Sequence, residues 1–170
     1  MKMNNMKAIV FIVILSMVFG ALAGCASEVS GNKTVDVGIV LPTKDEPRWV
    51  QDETRFAEAL KDTDHSVEIL FSQGSSANEK QNVESLITKG IKVLIICPHD
   101  GDGAAAAAEA AKAEGITVIS YDRLITGTKA VDYYVTFDSI AVGEAQGQYL
   151  VDNATGSGNP LYLYAGTASD

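Results

Sequence analysis

The sequence predicts an α/β fold, a parallel sheet with helices on both faces. Three observations predict it. Short runs rich in β-branched residues alternate with segments of helical period, as βαβ units require. The run 91–97 (IKVLIIC) is apolar on both faces, which suits a central parallel strand. Glycines stand directly after two of the helical segments, at Gly90 and Gly115, where helices commonly end.

Taken in order, 35–41 (VDVGIVL) reads as the first strand. A helix follows over 47–61, with Pro47 in the first turn, where its missing N–H costs nothing. A second strand covers 67–71 and a helix 78–89, closed by Gly90. The third strand is 91–97. The helix over 103–114 is rich in alanine, the best helix former, and Gly115 closes it. The fourth strand, 116–121, ends in Asp122-Arg123, a charged pair directly after an uncharged buried run. A fifth strand covers 131–137, a helix 139–151, and a last strand 161–164. Repeated right-handed crossovers then give the parallel sheet. Ligands of such sheets sit outside the carboxyl ends of the strands, which directs attention to 42–49, 72–76, 98–103, 121–124 and 137–138.

The chain has 170 residues, enough for one ordinary domain with a real core. With 46% hydrophobic and 21% charged residues it reads as globular. Its formal net charge of −9 excludes nucleic acid as an expected partner, because phosphate binding needs a basic surface. The amino terminus has a different character. Lys2 and Lys7 precede an apolar run over 8–19 broken only by Ser16, and Leu22-Ala23-Gly24-Cys25 follows. The run is shorter than the roughly 20 residues of a membrane span and is flanked as a secretory signal is. The tetrad resembles the lipobox of bacterial lipoproteins, in which the cysteine is acylated and becomes the first mature residue. The expected division is a signal peptide over 1–24, lipid attachment at Cys25 and a small polar tether over 25–34. A plain signal peptide, or an anchor that is never cut, are the alternatives. With Cys25 lipidated, Cys97 has no disulfide partner and reads as a buried structural thiol.

The candidate chemistry is recognition. Gly101-Asp102-Gly103-Ala104-Ala105-Ala106 fits G-x-G-x-x-A between a strand and a helix, with Asp122 after the next strand. The strand is third rather than first and Pro98-His99-Asp100 lengthens the turn, so a plain loop before a helix is the preferred reading. Trp49, the sole tryptophan, either joins Phe56 and Leu60 on the apolar stripe of its helix or faces the strand mouth. Arg48 beside it is either a ligand contact or a solvated charge. Asp122 and Arg123 have the chemistry to bind vicinal hydroxyls, by acceptance and by a planar donor fork; a mutual salt bridge or a capping turn is the alternative. Asp138 either reaches a ligand or caps the helix from Ser139. The two histidines, His65 and His99, lie far apart, and no H-E-x-x-H, G-x-S-x-G, P-loop or paired-cysteine metal spacing is present. Neither an enzyme, a metal site nor a cofactor is expected.

Together VGIVLPTKDEPRW, KVLIICPHDGDG, VISYDR and YVTFDSIAVGEAQGQYL resemble the ribose- and xylose-type periplasmic sugar receptors of ABC importers, over about residues 35 to 170. The likeness to xylose-binding and multiple-monosaccharide receptors is the strongest. It implies the type I periplasmic-binding-protein fold, in which two lobes close over a monosaccharide. It further implies that Arg48 and Trp49 are first-lobe contacts, with Trp49 a stacking ring, and that Asp122 and Arg123 bind ring hydroxyls. Asp138 would lie at the first crossing between lobes, with Lys44, Glu46 and Asp100 near the site. The implied lobe spans 35–137, and 138–170 begins a second lobe whose remaining elements lie beyond Asp170. The implied protein is a lipid-anchored or periplasmic receptor, monomeric when complete, that delivers xylose, another pentose or a hexose to an ABC permease. A receptor that feeds a sensor with a sugar or autoinducer, and an exported nucleotide-dependent enzyme, are the alternatives.

Overall fold

The structure, a computed structural model, describes residues 34–154. The expected leader over 1–24, the expected lipid attachment at Cys25, the expected tether up to residue 33 and the strand expected over 161–164 lie outside the described residues.

Among the described residues five strands form one sheet: β1 (Val37–Leu41), β2 (Val67–Phe71), β3 (Val93–Ile96), β4 (Thr117–Tyr121) and β5 (Tyr133–Val135). Four helices of the described residues alternate with them: α1 (Pro47–Leu60), α2 (Ser76–Thr88), α3 (Ala105–Ala113) and α4 (Ser139–Asn153). The strand order is β2-β1-β3-β4-β5, and every pairing is parallel. The chain adds β2 on one side of β1 and β3 on the other, so β1 is the point where the order reverses. The register aligns the strand ends: Ile39 stands beside Ile69 and Ile95, and Ile95 beside Ile119. All strands therefore leave the sheet on one side.

The side-chain period of two sorts β1 between two cores. Val37, Ile39 and Leu41 pack with Trp49 and Cys97, against Phe56 and Leu60 of α1. Val40 faces the other way, with Leu94, Ile96 and Val118, against Val83 and Leu86 of α2 and the alanines Ala107, Ala108 and Ala111 of α3. Small alanines let α3 approach the sheet closely. At Gly38 the approach of α2 is closest: a Cβ there would stand 2.8 Å from Leu86 Cδ1 and 3.1 Å from Ile91 Cδ1.

Helix ends follow local chemistry. Ser75 accepts from the Asn78 N–H and starts α2 at Ser76, two residues before the expected start. Residues 101–104 are spent on a turn, so α3 begins at Ala105 rather than 103. Gly90 and Gly115 have φ of +80° and +75°, the left-handed conformation that ends a helix cheaply only at glycine.

The fifth strand is shorter than expected and exposed throughout. It forms the sheet edge, and a connection over 122–132 without a helix returns the chain to parallel pairing, through the Asp132 N–H on the Val118 carbonyl and the Asp122 N–H on the Val135 carbonyl. The helix expected after it is present as α4, which buries none of its residues.

Candidate functional site

A cleft of about 550 Å³ opens at the strand exits. Its wall comes from four places in the chain. Glu46, Arg48 and Trp49 enter from the start of α1, Asp102 from the turn before α3, Asp122, Arg123, Leu124 and Thr126 from the segment after β4, and Tyr134, Thr136, Phe137 and Ser139 from β5 and its exit.

The charged core of the wall is built across long sequence separations. Asp122 has φ of +64°, an uncommon backbone state for a residue with a Cβ, though one that aspartate tolerates better than most. Its carboxylate accepts from Arg48 Nη2 at 2.5 Å, and its carbonyl accepts from the Tyr134 hydroxyl at 2.9 Å. Behind Arg48 stands Asp52, one helical turn on, only 5% exposed. Asp52 lies 3.7 Å from Arg48 Nε and 3.6 Å from Arg55 Nη1, and accepts from the Tyr121 hydroxyl at 3.1 Å. Burial disfavours the Arg48 charge, but the Asp122 hydrogen bond and the charges of Asp122 and Asp52 outweigh it and raise its pKa above the ordinary value. Burial, followed by the nearby Asp52 carboxylate, raises the pKa of Tyr121 as well, so it stays a neutral donor.

Trp49 belongs to both places that the sequence left open. It is 1% exposed and packs in the core cluster with Leu41 and Cys97, yet its edge forms part of the cleft wall. Its indole N–H donates to Glu46 Oε2 at 3.1 Å. The Arg48 guanidinium lies 4.5 Å from its ring centroid and that of Arg123 5.8 Å, within range of cation–π attraction. The ring is thus fixed at its N–H and covered by a neighbouring cation. Arg123 also donates through Nη1 to the Pro98 carbonyl at 3.3 Å. The Asp–Arg dipeptide sends its two side chains to separate partners.

Five of the residues singled out by sequence come together here: Glu46, Arg48, Trp49, Asp122 and Arg123. Three do not line the cleft. Lys44 pairs with Glu53 at 3.3 Å and sits 4.5 Å over the Phe71 ring. Asp100 Oδ1 accepts from the Gly103 N–H at 2.6 Å and shapes the turn before α3. Asp138 caps α4, accepting from the Ala141 N–H at 2.9 Å. The sequence reading singled out neither Asp52 nor Tyr134, and it named the strand exits 98–103 and 137–138 without choosing Asp102 or Phe137 as contacts. Asp52 carried a local signal, the i,i+4 spacing from Arg48.

The Gly101–Ala106 turn offers poor ground for a diphosphate. Asp100 holds it from one side and Asp102, bonded to the Thr126 hydroxyl, from the other, so carboxylates stand where phosphate would need N–H donors. Cys97 is buried, and that burial pushes its thiol up to about 12, a structural and unreactive state. Among the described residues no group of three or more His, Cys, Asp or Glu side chains is placed to hold a metal ion.

The comparison that decides the family is a match over residues 37–170 to the periplasmic binding protein domain. The chain belongs to the periplasmic binding protein family. Its sheet and flanking helices are those of a partial N-terminal domain of the type I fold. Among solved structures, a carbohydrate transporter solute-binding protein from Chloroflexus aurantiacus in complex with D-glucose is 78% identical, with a TM-score of 0.75. The match covers 80% of this chain and 40% of that one. An ABC transporter solute-binding protein from Clostridium phytofermentans with bound β-D-glucose is 39% identical at a TM-score of 0.66, over 68% of this chain and 36% of that one. The multiple sugar-binding periplasmic protein SbpA of Azospirillum brasilense is 37% identical over 68% of this chain and 32% of its own length. The D-xylose-binding periplasmic protein of Escherichia coli is 32% identical over 71% of this chain and 36% of its own length. The chain therefore spans about a third of the curated relatives it matches.

Proposed function

We propose that this chain is the first lobe of an exported solute receptor that captures a monosaccharide for an ABC-type importer. The observation that carries this reading is the cleft at the strand exits. There Asp122, Arg48 and Arg123 offer acceptors and planar donor forks beside the one tryptophan, in a chain 78% identical to a protein with D-glucose bound. Neutral sugars demand this mixture, since each hydroxyl both donates and accepts and the C–H face of the sugar packs on the face of an aromatic ring.

In this reading residues 35–137 form the lobe and 138–170 lead into a second lobe that closes over the ligand. A hexose or pentose, with glucose and xylose first among them, is the ligand, and an ABC permease is the partner. Lipid attachment at Cys25 holds the receptor at the outer face of the membrane. Labelling with a radioactive fatty acid tests the anchor, because a Cys25→Ser variant that still takes up label contradicts it. Isothermal titration of the full-length protein with a panel of pentoses and hexoses tests the binding. Saturable heat with at least one sugar is expected. No heat across the whole panel overturns the reading.

A further inference from the structure

One peptide group outside the cleft connects a buried acid to the arginine that lines it. The 98–99 peptide is trans, so its N–H and C=O point in opposite directions. Its N–H, from His99, donates to Glu79 Oε2 at 2.7 Å. Its C=O, from Pro98, accepts from Arg123 Nη1 at 3.3 Å. Glu79 stands in the first turn of α2, 1% exposed, and does not line the cleft.

We propose that Glu79 is a positioning residue of the ligand site, gripping the 98–99 peptide from behind so that its charge firms the seat of Arg123. The physics is that of a short hydrogen-bonded chain. A carboxylate on the N–H polarises the peptide and makes its carbonyl a stronger acceptor, so the guanidinium at the far end is held more firmly. A neutral carboxyl still accepts from the N–H but polarises it less. Direct attraction between Glu79 and Arg123 acts in the same sense.

The charge state of Glu79 is set where it can vary. Burial is the main cause, and it pushes the carboxyl up to about 7 from the ordinary value of 4.5; the His99 N–H opposes this, Asp100 reinforces it and Arg123 opposes it. The charged and titratable groups facing Glu79 are therefore His99 and Asp100 on the loop after β3, and Arg123 after β4. An exported receptor meets changing acidity, and this arrangement loosens Arg123 as the medium falls below neutrality.

The effect on binding rests on the sugar-receptor reading, and two measurements keep the two apart. In the ligand-free full-length protein, the Arg123 side-chain Nε resonance should move with a midpoint near pH 7, in step with the Glu79 carboxyl carbon. It should not move in Glu79→Gln, which keeps the acceptor and cannot ionise. Titrations with D-glucose and D-xylose should then show affinity rising about three- to tenfold from pH 6 to pH 8 in the parent. Glu79→Gln should be flat near the pH 6 value. Because histidine as a residue type titrates in this range, His99→Asn is the control and should keep the slope. An Arg123 resonance that ignores the Glu79 titration, or an equal affinity slope in Glu79→Gln, overturns the inference. Coupled resonances without sugar binding at any pH overturn the receptor reading and leave the relay standing.

Discussion

In the proposed receptor Arg48 is the cleft residue whose cation lies against the Trp49 ring. Its guanidinium covers Trp49 at 4.5 Å while one nitrogen is committed to Asp122 at 2.5 Å. In the proposed complex Asp122 holds the guanidinium in place while its other N–H groups donate to hydroxyls of the ligand beside Trp49. Arg48→Lys tests this, because lysine keeps the charge but loses the planar fork and the flat cover. Losing one charge-assisted hydrogen bond costs about 1.5–3 kcal/mol, so sugar affinity should weaken roughly 10- to 100-fold. Isothermal titration of the full-length variant reads this as a right-shifted sugar titration. An affinity equal to the parent's would remove Arg48 from the site. Sequence brought Arg48, Trp49, Asp122 and Arg123 forward as strand-exit residues but gave no view of their pairing. Asp122 and Arg123 are neighbours in the chain, and only the left-handed turn at Asp122 shows that they part. Its real partner lies 74 residues away.

The strands and helices were more legible than their contacts because each carries its own periodicity and its own stop. Ser75, Gly90 and Gly115 mark ends by chemistry that acts within a few residues. What periodicity does not reveal is how near two elements come. Glycine within a strand is ordinarily a weak point, whereas in this sheet Gly38 is the hollow that receives the Leu86 side chain of α2. Both Leu86 methyls and the Ile91 methyl lie within 3.1 Å of where a Cβ would be, so these buried side chains must shift to admit one. Gly38→Ala should lower stability by about 1–3 kcal/mol, as overpacking does, and shift the urea midpoint down without changing the slope. A midpoint equal to the parent's would mean that α2 can retreat from the sheet. Glu79 belongs at this scale as well. A helix's first turn is good ground for an acid, so its position in the chain looked ordinary, and only the burial produced by α2 docking made it unusual.

At the scale of the molecule the described residues divide into a packed part and an open part. The sheet core around β1, β3 and β4 is closed on both faces, whereas β5 and α4 present apolar residues to solvent, from Tyr133 and Phe137 to Ile140, 76% exposed, and Val151, 72% exposed. The sequence foreshadowed this only through its family resemblance, since amphipathic patterning identifies a face without telling whether anything covers it. Exposure on this scale has a consequence for the 170-residue chain on its own, because contiguous apolar surface drives association. The formal charge of −9 opposes that association by mutual repulsion, and salt screens the repulsion within about 10 Å at 0.1 M. The mass measured by light scattering should therefore rise with protein concentration, and rise further with added salt. Association through ion pairs would respond to salt in the opposite direction. Placing charge on the open face, as Ile140→Glu with Val151→Glu, should return the chain to a monomer. Its thermal unfolding should stay unchanged, because α4 contributes no buried residue to the lobe. A chain that stays monomeric at high concentration and high salt would show that these side chains find cover within the chain itself.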